Sequence, residues 1–327
     1  MNTTFRFLYL FLFIALLFLL VPASGALGTV SNAPGPVSRA LEPVSRALEP
    51  VSDRASLSTH TAGPNPQFPD APDVASYTID VALDPDTKML TGSEVITYVN
   101  TTDRPIPDLV FHLYLNAFSG LDTLFMQEGG LQHRGIPWDP DHAGWIEVTR
   151  IQFADGTPLD LVEIEDGTLA RADLPAPIAP GESARVELDF RAQLPRVFAR
   201  TGYVDDFFMV GQWFPKLGVW ERDGWNAYPF HANAEFYADF GTYDVSIALP
   251  DMFVTGATGS PVSVDHENGI RTERYLAEGV IDFAWTAAPD FQAATRTVGD
   301  VELVYLCLLY TSPSPRDRTR SRMPSSA

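Results

Sequence analysis

The chain is 327 residues long, 45% hydrophobic and 12% aromatic, enough apolar material for one large or two ordinary cores. Its 42 Asp and Glu against 22 Lys and Arg leave a formal net charge of -20. That balance argues against a phosphate-binding surface, because nucleic-acid affinity rests on Lys and Arg neutralising phosphates, so no nucleic acid is expected as a partner.

The N-terminus opens with Arg6, an apolar run from Phe7 to Val21, and small residues from Ala23 to Ala26. The run is short for a bilayer span and is followed directly by small residues, which predicts a signal peptide over residues 1–26. The protein is then exported, periplasmic or extracellular, with no permanent membrane span after cleavage; the alternative is an uncleaved signal that keeps it anchored. A single cysteine, Cys307, permits no disulfide pair, which fits a bacterial periplasmic protein better than a small disulfide scaffold. Residues 27–73 repeat VSRALEP at Val37 to Pro43 and Val44 to Pro50. Proline recurring at Pro36, Pro43 and Pro50 breaks any helix, and the apolar content is too low to offset ordering entropy, so this stretch reads as a disordered linker.

The folded part begins at Val74. Tyr77, Ile79, Val81 and Leu83 alternate with polar residues, Asp84-Pro85-Asp86 supplies a turn, and Glu94 to Asn100 resumes a strand. Leu109 to Leu115 is apolar on nearly both faces, as in a strand covered on each side. The segment from Leu121 to Gly144, with Gly129-Gly130, Pro137 and Pro140, reads as a long surface loop rather than a helix. Further strands are expected at Trp145 to Phe153, around Leu159 to Ile164, and at Ala184 to Arg191, separated by turns at Gly156, Gly167 and Gly181.

Phe207 to Pro250 holds Trp213, Trp220 and Trp225 and reads as an ordered loop pinned by buried rings, entering a strand at Thr242 to Leu249. Met252 to Thr255, Arg271 to Leu276, Ile281 to Trp285 and Val301 to Leu306 complete the set. No amphipathic helix of ten residues appears after the signal, so the fold class is all-β and sandwich-like. From Cys307 the periodicity stops and Arg316, Arg318, Arg320 and Arg322 appear in an otherwise acidic chain. Residues 307–327 resemble a translated sequencing-adapter tail and read as non-native.

Three blocks in fixed order carry a family resemblance: YTIDVALDPDTKMLTGSEVITYVNTTDRPIPDLVFHLYLNAF, then GQWFPKLGVWERDGWNAYPFHANAEFYADFGTYDVSIALPDMFVTGATG, then RYLAEGVIDFAWTAAPDF. Together they resemble the N-terminal domain of M1 zinc metallopeptidases, the aminopeptidase N-like group, over residues 74–306. The resemblance implies a saddle-like β domain that docks on a thermolysin-like catalytic domain and closes one side of a peptide cleft. It also implies zinc in that next domain, held by H-E-x-x-H and a downstream Glu, with the motif Glu activating the metal-bound water. This chain spells no H-E-x-x-H and is read as ending before that domain, so it is expected to be inactive alone and to hold no cofactor itself.

Family members often place a Gln or Glu shortly before the Phe-Pro step to hold the substrate's free amino group. Here that region is Gly202 to Asp206, so Asp205 and Asp206 are the candidate ammonium anchors; Gln212 lies close to the step but off the family's position. Outside the resemblance, His231, Glu235 and Asp239 would stack as metal ligands on one face of a helix, but the Pro229 and Gly241 that bracket them argue against one, and in a strand they share a face more widely spaced. No metal ligand is assigned. The alternative function is a complete secreted β-sandwich whose exposed Trp213, Trp220 and Trp225 stack on a ligand such as a glycan.

Overall fold

The structure, a computed structural model, describes residues 73–299 and 301–308. The signal peptide, the linker up to residue 72 and the tail past Leu308 lie outside the described residues. Contacts divide the described residues into two units, 73–292 with 306–308, and 293–305.

The first hairpin is formed by β1 (Ala75–Asp84) and β2 (Met89–Val99), where burial alternates residue by residue as the period of two requires. The Asp84 carboxylate closes the turn by accepting from the Asp86 and Thr87 N–H groups at 2.9 and 3.3 Å. β3 (Ile106–His112) stops earlier than its apolar run predicts. Tyr114–Phe118 coils into a 3-10 helix with every residue buried, and the His112 ring stacks on Tyr114 at 4.6 Å.

The segment expected to be a plain loop instead holds α1 (Leu124–Gly129), the two-residue strands β4 (Gln132–His133) and β5 (Ile136–Pro137), and a second 3-10 turn at Pro140–His142. Thr123 caps α1 by accepting from the Met126 N–H, Gly130 ends it at φ 69, and Phe125 and Met126 are its buried anchors. Six residues are too few to show a helical period, which is why the sequence concealed it.

β6 (Trp145–Phe153), β7 (Leu161–Ile164), β8 (Leu169–Ile178) and β9 (Ser183–Gln193) follow, with Gly156, Gly167 and Gly181 at positive φ as expected of the turns between them. β8 has no counterpart among the expected strands, and it contains Pro175 and Pro177. Its register with β3 jumps from Asp108↔Asp173 to Ile106↔Ile178, so neither proline is asked for a ladder hydrogen bond.

After β10 (Gly202–Val204), the ring-rich stretch is less loop-like than expected. It carries β11 (Phe207–Val210), β12 (Lys216–Leu217), β13 (Val219–Glu221) and β14 (Gly224–Asn226). The remaining strands are β15 (Gly241–Pro250), β16 (Val254–Ala257), β17 (Ser260–Glu267), β18 (Ile270–Val280), β19 (Trp285–Ala288), β20 (Phe291–Val298) and β21 (Val301–Leu308). Residues 281–284 are not the strand expected there, because their carbonyls are taken by cross-chain donors: Ile281 accepts from Tyr243 Oη, Phe283 from Trp213 Nε1, and Ala284 from the Thr258 N–H.

The fold is an all-β sandwich. Its largest sheet orders β17-β18-β15-β1-β2-β9-β6, and two four-stranded sheets order β10-β11-β19-β16 and β12-β3-β8-β7. β1 and β15 pair in parallel, Tyr77 beside Tyr243 with rings stacked at 4.7 Å. Gly241 opens β15 because any Cβ there would meet the Ala75 carbonyl oxygen at 1.7 Å. Trp213, Trp285, Phe190 and Phe214 fill the core; Trp213 packs edge-on to Trp285 at 6.3 Å. β20 and β21, which supply the described residues of the smaller unit, form a two-stranded sheet. Among the described residues no helix is long and apolar enough to cross a membrane.

Candidate functional site

Asp205 and Asp206 form the turn between β10 and β11, with Asp205 at φ 51, a left-handed conformation that Asp tolerates. Lys88, itself at φ 63, reaches this turn from the end of the first hairpin. Its ammonium donates to the Asp205 carbonyl at 2.9 Å, pairs with the Asp206 carboxylate at 3.4 Å, and lies 5.2 Å from the Tyr203 ring centre and 5.0 Å from that of Phe208. Asp206 is therefore already matched, whereas the Asp205 carboxylate has no ion-pair partner among the described residues, so Asp205 is the freer anion.

The turn borders a groove made of two adjoining hollows of about 470 and 620 Å³, which share Lys88, His142 and Tyr203. Asp139 orders one wall: its carboxylate takes His142 Nδ1 at 2.9 Å and Arg196 at 3.4 Å, and the His142 hydrogen bond is the first cause holding its carboxyl below the usual range. Trp145 and Tyr203 supply aromatic surface and Asp86 and Asp141 further carboxylates. The groove can hold a cation beside a ring.

Gln212 does not belong to it. Gln212 is buried at φ 57, and its amide donates to Asp282 rather than to open space. Asp282 also takes the fully buried Lys216 ammonium at 2.6 Å and the Phe283 N–H at 2.8 Å, making an interior polar cluster on β12 and the 281–284 turn. Burial first, then the Lys216 charge, pushes the neighbouring His112 down to about 3, so that ring is neutral at physiological pH.

His231, Glu235 and Asp239 do not converge. His231 Nδ1 meets Glu128 at 2.8 Å, Glu235 is gripped by Arg200, and Asp239 stands alone beside Glu221. The described residues hold no group of three His, Cys, Asp or Glu that could bind a metal, so these side chains do not fit zinc. Burial, then the Glu221 charge, raises Asp239 to about 6. A carboxyl raised in the fold adds stability that is complete below its ordinary pKa and lost as pH climbs through the raised one. Asp239→Asn is therefore expected to flatten the fall in melting temperature between about pH 4 and 6. An unchanged slope in thermal scans would remove Asp239 as its cause.

No family model matches the chain, and no curated protein matches it. Solved structures do. An M1 zinc metallopeptidase from Deinococcus radiodurans is 15% identical with a TM-score of 0.43, covering 69% of this chain and 43% of its own. A Glu-to-Ala mutant of an M1 zinc metallopeptidase from that organism, bound to a Tyr-Ser-Ala substrate, is 15% identical with a TM-score of 0.45, covering 75% of this chain and 51% of its own. A two-domain M1 zinc metallopeptidase mutant bound to L-tryptophan shows the same coverage, identity and score. This chain spans about half the length of the structures it is similar to.

The glycan-platform alternative loses its first ring: Trp213 is completely buried. Trp220 and Trp225 are half-buried and pack edge-on to each other at 5.3 Å, with Trp225 Nε1 donating to Asp108 at 2.8 Å. Sequence reasoning passed over Lys88, Tyr203 and His142. The available signal was scarcity, because Lys88 and Lys216 are the chain's two lysines and each sits at a polar cluster.

Proposed function

We propose that residues 74–306 form the substrate-cleft β domain of an exported M1-like zinc metallopeptidase of the aminopeptidase type. The zinc and its H-E-x-x-H helix belong to a catalytic domain outside this chain, which is the domain's docking partner and supplies the hydrolysis. What supports the reading is the placement of the three resembling blocks. They are far apart in sequence, yet β1 from the first pairs with β15 from the second, and β15 pairs with β18 from the third. Colinear motifs that meet in one sheet specify a shared architecture more strongly than any block alone.

Within that reading the β10–β11 turn faces peptide, and Asp205 holds the substrate's ammonium group by a charge-assisted hydrogen bond. Lys88 positions the turn through the Asp205 carbonyl and keeps Asp206 engaged. The test is hydrolysis of aminoacyl p-nitroanilides by the product of the longer reading frame. Expected are chelator-sensitive turnover and a KM raised ~10-fold by Asp205→Asn, with the present chain inactive. Turnover indifferent to chelator, or none, would overturn the reading; an unmoved KM would remove Asp205 as the anchor.

A further inference from the structure

We propose that a second, smaller cavity binds a small monocarboxylate carrying an apolar ring. It lies between α1, the turn joining β4 and β5, and the irregular segment 228–240, and measures about 180 Å³. Phe125 and Phe230, both buried, are part of its lining, with ring centres 5.0 Å apart. Arg134, Arg200 and His133 complete the charged side of the lining. In a chain of net charge -20, two guanidiniums on one small hollow are a local reversal of sign.

The cavity already shows which species it takes. Arg200 grips the Glu235 carboxylate through two nitrogens, at 2.8 and 2.9 Å, in the bidentate geometry that guanidinium offers to carboxylates. The Glu235 side chain is 79% exposed, so little besides that grip holds it in place. The Arg200 hydrogen bonds first, and then the charges of Arg200 and Arg134, hold its carboxyl below the usual range. Glu235 is in effect a tethered occupant.

Arg134 has no hydrogen-bond or ion-pair partner among the described residues. His133 is pushed down, first by burial and then by the two arginines, and Glu128 is spent on His231 at 2.8 Å. Two guanidiniums facing one carboxylate, that of Glu235, leave room for one further negative charge. The phenyl rings beside them favour an apolar ring on the anion.

The experiment is a calorimetric or NMR titration of the chain with benzoate and, as the uncharged comparison, benzyl alcohol. Expected is saturable millimolar binding of benzoate, ~10-fold tighter than benzyl alcohol, and weakened ~10-fold by Arg134→Gln. Glu235→Gln should tighten benzoate several-fold, because removing the tethered occupant raises the fraction of competent sites. A purely structural Arg200–Glu235 pair gives no such gain. The proposal is overturned by absence of saturable benzoate binding in both the native chain and Glu235→Gln, by equal affinity for benzyl alcohol, or by Arg134→Gln and Glu235→Gln leaving the affinity unmoved. Arg134, Arg200 and Glu235 are exposed, so these variants retain the fold.

Discussion

Asp282→Ala is expected to destabilise the domain by about 3–5 kcal/mol, among the largest effects of any single substitution outside the aromatic core. Lys216 is 1% exposed, and its ammonium is held by Asp282 at 2.6 Å, with the Ile281 carbonyl at 3.5 Å and the Phe214 ring centre at 5.3 Å as its other neighbours. Removing the carboxylate leaves a buried cation without a counter-charge and strips the Gln212 amide of its acceptor. Burial pushes the Lys216 pKa down, and the charge and hydrogen bond of Asp282 only partly restore it. With the folded pKa lowered, the folded state binds fewer protons than the unfolded chain between that value and the ordinary lysine range, so stability rises with pH across this window. The loss in Asp282→Ala should accordingly shrink as pH is raised. Lys216→Met combined with Asp282→Asn removes the charge while keeping an acceptor, and should return to within about 1 kcal/mol of the native protein. Urea unfolding of the native protein and the two variants measures this; a double variant as unstable as Asp282→Ala would show that the pair is not what Asp282 contributes.

Glu94→Leu is expected to act in the opposite direction, stabilising the domain by ~1–4 kcal/mol near pH 8 and by much less near pH 4. Glu94 faces inward from β2 at 1% exposure, and neither carboxyl oxygen has a hydrogen-bond partner. Burial alone raises its pKa well above the ordinary value. Its contribution is complete below the ordinary glutamate pKa and is lost as pH rises through the raised one, each unit in between costing about 1.4 kcal/mol. Leucine fills a similar volume without a proton to hold. Parallel denaturant curves at pH 4 and pH 8 decide the matter, and a destabilised Glu94→Leu at pH 8 would mean that the carboxyl has a polar role in the core.

The parts legible in the sequence were those governed by local periodicity. β1, β2, β6, β9, β15 and β21 follow alternation or short apolar runs, and their turns follow Asp and Gly chemistry. What escaped depends on partners distant along the chain. β8 keeps its prolines only because the β3 register skips them. In β18 the inward face carries Arg271 and Glu273, paired at 3.0 Å, with Tyr275 donating to Glu273 at 2.7 Å, while Leu276 lies half-buried on the other face. No hydropathy pattern yields that inversion.

The candidate site divides in the same way. Asp205 and Asp206 are drawn from the family resemblance, and both line the smaller of the groove's two hollows, of about 470 Å³. Gln212 was drawn in by nearness in sequence to the Phe-Pro step, and folds instead into the core beside Asp282. Lys88 meets the turn from more than a hundred residues away, a contact that only the first hairpin's placement creates.

The most direct measurement is to read the source DNA across the codon for Leu308 and onward for another domain's length. The expected result is an open frame that runs from β21 into an H-E-x-x-H motif with a later Glu, in place of the Arg-rich residues 316–322. A stop codon after Ala327, recovered with the same tail in independent clones, would contradict the assignment of this domain to a zinc peptidase.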